Sequence, residues 1–296
     1  MDPNHITESL RVMMENPARH DFPALGWNGI ITRPLSFAAS QWCTHWVTYD
    51  HSPDATCDAL RLSSGLTALW YQRLADDTLS QRTARGRIIV SGAWPHAVTP
   101  QYLGIQRSEL IMVRPGATRA IFGLPASELA CRRVTLDELL PGEGYRLEQR
   151  LLDEVSEAGR LSVMNEWIRL RTRQYARTVD LELVNGIRSW IGMNGTCRDI
   201  SAMTGSSQRS LQRRFNDCVG LAPRDLNRLW QVGRAVREAL TSKTLNWSAL
   251  ALRHGFYDQP HFIRSWSDVV GMSPTALMRR WNKGGRWTQG MILLPK

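Results

Sequence analysis

Between residues 29 and 123 the apolar positions fall in short runs, each closed by residues that favour turns. Runs at 30–31, 42–47, 66–71, 87–90 and 110–113 are separated by Pro34, Asp50, Pro53, Asp76, Asp77, Gly92, Pro95, Pro115 and Gly116. Short apolar runs between turn residues predict strands, here of a β-rich domain, a barrel or a sandwich. Beyond Gly123 the period lengthens. Thr135 and Glu138 have the spacing of a capping box, and Leu147, Leu151, Leu152 and Val155 recur at helical intervals. Residues 163–175 predict another helix, with Trp167, Leu170 and Tyr175 apolar among arginines.

The last third repeats itself. Phe215, Gly220 and Pro223 are spaced as F-x4-G-x2-P, and Trp266, Gly271 and Pro274 follow the same spacing 51 residues later. Leu211 and Phe262 share that offset, as do Arg213 and Arg264. Upstream, Gly205 and Gly255 each follow a short apolar helical pattern, at 200–204 and 250–254. Each copy therefore predicts a helix, a glycine turn, a second helix, a second glycine turn and a proline. Thr196 with Asp199, and Asn246, are placed to cap the first helices; Ser207 and Asp258 are placed to cap the second. Gly205 and Gly255 fall where a helix ends in the left-handed region. Pro260 falls in a first turn, where a missing N–H costs little.

On the second helices, Leu211 with Phe215 and Phe262 with Trp266 form apolar stripes. The opposite faces carry Arg209, Gln212 and Arg213 in one copy and Gln259, His261 and Arg264 in the other. Arg and Gln each make paired hydrogen bonds to base edges, to guanine and adenine respectively. Ser207, Arg209, Gln212, Arg213, Gln259, His261 and Arg264 are thus the candidate contacts to double-stranded DNA. A solvated basic face of a plain helical bundle is the competing explanation for a single copy, and a duplicated pattern weakens it. Residues 223–240 predict one joining helix with Leu226, Leu229, Trp230 and Ala235 inward. At about 1.5 Å per residue it spans roughly 25 Å, which with its flanking units allows two readers one DNA turn, about 34 Å, apart.

Charge sharpens this division. The chain has 296 residues, 43% hydrophobic and 22% charged, with a net charge of +10. Residues 1–160 hold 16 Arg, no Lys and 18 acidic residues, a net of −2; residues 161–296 hold 21 basic and 9 acidic residues, a net of +12. A near-neutral half joined to a strongly basic half is what a polyanion-binding module attached to a neutral domain would give. The five cysteines, Cys43, Cys57, Cys131, Cys197 and Cys218, show no CxxC and no metal-ligand spacing. The first residues lack an apolar run, and no stretch approaches the ~18 apolar residues of a membrane span. The expectation is a cytoplasmic protein with no metal, no cofactor and no membrane association.

The segment 179–281 resembles the AraC/XylS regulators. Residues 207–215, SQRSLQRRF, resemble that family's first recognition helix. Residues 255–266, GFYDQPHFIRSW, followed by GMSP at 271–274, resemble its second. The DQxHF wording at 258–262 resembles one branch, whose N-terminal domain has a segment like 113–117, VRPGA, through 123–129, GLPASEL. The resemblance implies an α+β architecture: a β-rich regulatory or dimerisation domain at 1–160, a helical linker at 161–178, a DNA-binding domain at 179–283, and a basic tail at 284–296. Its two helix-turn-helix units fall at about 196–216 and 246–267. It further implies a transcriptional activator that binds duplex DNA in two successive major grooves, contacts RNA polymerase, and responds to a small-molecule effector or dimerises. Three positions depart from the family pattern: Trp266 for Phe, Ala222 where the second copy keeps a capping Ser, and Gln231 where the linker helix often has Arg.

Trp42, Trp46, Trp70, Tyr71 and Trp94 are either simply core or the lining of a ligand-holding barrel. His45, His51 and His96 fall into no ligand pattern, and Arg114-Pro115-Gly116 suits a turn better than an anion site. Paired catalytic carboxylates, a nucleophile elbow, a phosphate loop and H-E-x-x-H are all missing, so no enzyme is expected. A regulator driven by a protein partner is the alternative to ligand sensing. A DNA-repair methyltransferase fused to such a reader would need clustered cysteines that the sequence does not provide.

Overall fold

Runs that alternate between two faces and end at turn residues become the strands of a seven-stranded antiparallel sheet. In the computed structural model the described residues are 20–22, 27–33, 35–50, 57–63, 65–74, 85–98, 105–181, 183–187, 207–242, 244–288 and 291–295. The first seven strands in the chain are β1 (His20–Phe22), β2 (Trp27–Arg33), β3 (Cys43–Asp50), β4 (Cys57–Arg61), β5 (Ala68–Leu74), β6 (Arg85–Ser91) and β7 (Ile105–Val113), and β8 (Arg133–Thr135) follows. All but β4 join one sheet in the order β1-β2-β3-β7-β5-β6-β8. Its centre is β7, which sets Ile111 opposite Trp46 of β3 and Glu109 opposite Tyr71 of β5. The fold class is α+β.

The chain forms two compact units, one of Met1–Ala55, Leu66–Ala93 and Tyr102–Gly220, the other of Thr56–Gly65, Trp94–Gln101 and Leu221–Lys296. In the first, helices cover one face of the sheet: α1 (Phe37–Ser40), α2 (Thr118–Phe122), α3 (Leu136–Leu139), α4 (Glu143–Asp153) and α5 (Glu157–Tyr175). Trp46, Leu69, Tyr71, Ile88, Val90, Ile111 and Val113 from the sheet share one core with Ile121, Phe122, Leu147, Leu151, Met164, Trp167 and Ile168 from the helices. The capping box is formed: Glu138 N–H donates to Thr135 Oγ1 (3.2 Å) and Thr135 N–H to Glu138 Oε2 (2.6 Å). Val155, counted with the helical stripe, is 93% exposed between α4 and α5. Ser156 starts a new helix there, its Oγ accepting from Gly159 N–H, so α5 begins six residues before the stretch read from periodicity.

Crossing from α5 into the sheet is a buried charge pair. Arg160 Nε donates to Glu109 Oε1 at 2.8 Å, and both side chains are fully buried. Arg160 Nη1 satisfies the carbonyls of Glu154 and Val155 at the helix start. Its Nη2 lies 2.7 Å from Glu109 Oε1 but off the hydrogen-bonding axis, which leaves that N–H without a partner. Burial pushes the Glu109 carboxyl above its ordinary pKa against the pull of Arg160.

The second unit is helical apart from a small antiparallel sheet. Its helices are α7 (Pro223–Thr241), α8 (Trp247–Arg253), α9 (Gln259–Val270) and α10 (Pro274–Trp281), and α6 (Gln208–Val219) belongs to the first unit. The final residues, read from sequence only as a basic tail, carry β9 (Arg286–Thr288) and β10 (Met291–Pro295), and β10 pairs with β4. β4, Cys-Asp-Ala-Leu-Arg, shows no apolar run, and it gains its partner from the Met-Ile-Leu-Leu-Pro run near the far end of the chain. No helix among the described residues is long and apolar enough to cross a membrane.

Candidate nucleic-acid interface

The two candidate reading helices are built alike. α6 begins at Ser207, whose Oγ accepts from Ser210 N–H at 3.4 Å, and stops at Gly220 with φ +86°. α9 begins at Asp258, whose Oδ1 accepts from His261 N–H at 2.7 Å, and stops at Gly271 with φ +82°. Each spans 12 residues. In both, the closing glycine N–H returns to the carbonyl four residues back, at 2.7 Å to Asn216 and 2.9 Å to Ser267. A side chain at a φ near +80° is strained, which is why glycine stands there.

The rear of each helix is buried: Leu211, Phe215 and Val219 on α6, and Phe262, Trp266, Val269 and Val270 on α9. The fronts face solvent. Ser207, Arg209, Gln212 and Arg213 are exposed at α6, and His261 and Arg264 at α9. Gln259 is different: it is partly covered, and its Oε1 accepts from Ser248 Oγ at 2.6 Å. His261 rests edge-on against the Phe256 ring, centroids 5.5 Å apart.

Upstream of α9 the expected geometry is present. Asn246 Oδ1 accepts from Ala249 N–H at 3.0 Å to start α8, and Gly255 takes φ +80° at the turn into α9. Phe256 N–H closes that turn on the Ala251 carbonyl, 3.0 Å. Trp247, Phe256, Phe262 and Trp266 then interlock, with Phe262 5.1 Å from Phe256 and 5.5 Å from Trp266 between centroids. The counterpart in the first copy, including Thr196, Asp199 and Gly205, lies outside the described residues, as does His51.

The joining helix α7 supports α8 and α9 through charge. Glu238 accepts from Arg253 Nε (2.9 Å) and lies 2.9 Å from His254 Nε2. Burial pushes the Glu238 carboxyl up, but these two partners outweigh it and hold it below its usual range. Arg228 reaches Asp268 of α9 at 3.4 Å. Leu226, Leu229 and Ala235 are buried as expected, while Trp230 is only partly so.

Residues 200–280 match a family described as a helix-turn-helix domain. That span holds α6 through α9 and most of α10. Among solved structures, an apo variant of ToxT from Vibrio cholerae is similar at 9% identity and a TM-score of 0.37, over 83% of this chain and 99% of that one. Wild-type ToxT bound to an unsaturated fatty acid, from the same organism, gives 9% and 0.37 over 78% of this chain and 93% of its own. No curated protein matches the chain.

The three departures acquire physical content within the helix-turn-helix domain. Ala222 starts α7 with no side-chain cap, whereas Ser273 at the matching position of α10 accepts from Ala276 N–H at 3.2 Å. Trp266 is a full core residue, though its indole N–H has no partner. Gln231 reaches the Gly255 turn, where a β-carbon would lie 3.1 Å from its Nε2.

Sequence reasoning passed over Tyr257, which is 89% exposed in the turn between α8 and α9. An exposed aromatic at a reader's N-terminal turn was legible only as part of the family wording. In the sheet, Trp46, Trp70 and Tyr71 are buried, and Trp46 Nε1 donates to Thr48 Oγ1 within the core. Arg114-Pro115-Gly116 is a turn, with Arg114 Nε donating to the carbonyls of Ser40 and Cys43. Among the described residues no group of three or more His, Cys, Asp and Glu is placed to hold a metal ion.

Proposed function

We propose that the chain is a sequence-specific, double-stranded-DNA-binding transcriptional activator of the AraC/XylS type. The carrying observation is the pair of 12-residue helices with equivalent caps, buried apolar rears and exposed Arg-bearing fronts. In this reading Arg213 and Arg264 read guanines in two successive major grooves, Gln212 and Gln259 contact bases, and Ser207, Arg209 and His261 contact bases or phosphates. Gln259 gives up its bond to Ser248 when it does so. The DNA-contacting residues lie within 179–283, and the tail at 284–296 adds positive charge. The domain at 1–160 receives a small-molecule or protein signal, in the cytoplasm, and the bound protein contacts RNA polymerase, as a monomer or a homodimer.

Selection of duplexes from a random pool by the full-length chain tests the reading. A recovered motif with two half-sites about one DNA turn apart is expected. Recovery of no motif would leave a basic helical protein that binds DNA without reading it.

A further inference from the structure

The motif at 113–129, which the DNA-reading account leaves without a role, lies against the rear and C-terminal end of α6. Gly116 N–H donates to the carbonyl of Cys218 at 3.2 Å. Ser127 Oγ donates to Asp217 Oδ1 at 3.1 Å. The closing glycine of the helix, Gly220, approaches Ala126 so nearly that a β-carbon there would lie 2.8 Å from the Ala126 carbonyl oxygen. Gly116 has φ +79°, and a β-carbon on it would strike Val184 and come 2.8 Å from Cys218 Sγ. Arg214, on the same helix, pairs with Asp180 through two hydrogen bonds of 2.8 and 3.0 Å.

This surface is rooted in the sheet domain. Arg114 N–H donates to the Trp42 carbonyl, and its guanidinium to those of Ser40 and Cys43 beside β3. Arg171 of α5 donates through Nε to the Ile121 carbonyl of α2 at 2.7 Å. Gly92, at the end of β6, lets the Leu129 carbonyl pass where a β-carbon would otherwise stand. The grip falls on Asp217, Cys218 and Gly220 and leaves Arg209, Gln212 and Arg213 exposed.

We infer that residues 114–129 are a seat for the first reading helix, through which the sheet domain positions α6 and so sets sequence reading in one half-site. This rests on the DNA-reading proposal above. Gly116 and Ser127 act as positioning residues, since the contacts they make lie behind the helix. A displacement of β7 or α2 is carried to α6 through the seat, whereas α9 is held within the other unit, by its aromatic cluster, by Arg228 and by Ala97 N–H on the Val269 carbonyl.

The test uses the full chain with Gly116→Ala and Ser127→Ala. Amide exchange is followed in α6 and α9 without DNA, and binding is measured to a labelled duplex selected from a random pool by the wild-type chain, and to versions with either half scrambled. The seat predicts exchange in α6 faster by about tenfold in Gly116→Ala and severalfold in Ser127→Ala, with α9 unchanged. Preference is lost in one half of the duplex and kept in the other. If Gly116→Ala does not fold, Ser127→Ala carries the same reading by itself. Folded variants with wild-type exchange in α6 and wild-type preference in both halves would overturn the proposal. If α6 loosens while the wild-type chain selects no motif, the seat stands and the DNA reading falls. Equal loss in both halves would also overturn it, because a general loss of stability would then account for the effect.

Discussion

The two candidate reading helices share their length, a side-chain cap and a closing glycine, yet they are supported differently. The second, α9, is held within its own unit, where Ala97 N–H also donates to the Val269 carbonyl at 2.6 Å. This candidate reading helix buries Phe262 and Trp266 against Trp247 and Phe256 from its own preceding helix and turn, and α7 adds the Glu238 and Arg228 pairs. The other, α6, is gripped from residues about 90 to 100 positions earlier, through Ser127 with Asp217 and Gly116 with Cys218. A duplicated sequence pattern therefore does not imply a duplicated environment. One candidate reading helix is placed by contacts within the helical unit, and the other is also placed by residues 114–129 of the sheet domain.

The comparison breaks most visibly at the core. Phe215→Ala and Phe262→Ala each remove a fully buried ring, and each is expected to cost about 3–5 kcal/mol of stability in a denaturant melt. Exchange should rise in α6 and across 126–129 for the first, and in α8 and α9 for the second. If Phe262→Ala loosened 126–129 as much as Phe215→Ala does, the two copies would not be independently supported.

Arg213→Ala and Arg264→Ala sharpen it at the DNA surface. Each is expected to lose about 1–3 kcal/mol of specific binding and to relax base preference in a different half-site. Uniform weakening on all sequences with a shallower salt slope would reassign that arginine to phosphate. Wild-type binding by both variants would exclude α6 and α9 as the readers.

The caps provide a smaller contrast. Ser207→Ala and Asp258→Ala should each cost about 1 kcal/mol, with Asp258→Ala the larger, because a carboxylate also meets the positive end of the helix. Equal thermal shifts would show that the charge adds nothing there.

The smallest effect is a pH dependence confined to α6. The hydrogen bond from Arg214 holds the Asp180 carboxyl below its ordinary value. Its contribution is present above the unfolded aspartate pKa of about 3.9 and is lost as pH falls through the lower folded value. Exchange in α6, corrected for intrinsic rates, should therefore accelerate below about pH 4, and Asp180→Asn should remove that acid-dependent component. An unchanged acid profile in Asp180→Asn would remove the pair from the support of α6.

Local signals were legible because they act through neighbours in sequence. Ser207, Asn246, Asp258, Gly255 and the Thr135–Glu138 box all satisfy backbone groups within about one helical turn, and the chain alone supplies both partners. The apolar stripes were legible for the same reason, since a helix turns at a fixed rate whatever it packs against. Periodicity does not announce where a stripe stops being helical, and so Val155 was counted with α4 although Ser156 caps the next helix.

What only the tertiary structure decided are pairings between distant residues whose separate sequences carry no mark of each other. β4 completes its sheet with β10 from near the end of the chain, Glu109 accepts from Arg160 across 51 positions, and Gln259 Oε1 accepts from Ser248 Oγ. The sequence determined that α6 and α9 would be amphipathic, capped and basic in front, because those properties are fixed by bonds spanning a few residues. That α6 rests on residues 114–129 was settled by packing. Gly116 reads in sequence as a turn residue and Ala126 and Ser127 only as part of a family-like segment, and they become a seat only where the fold brings the end of α6 within hydrogen-bonding reach.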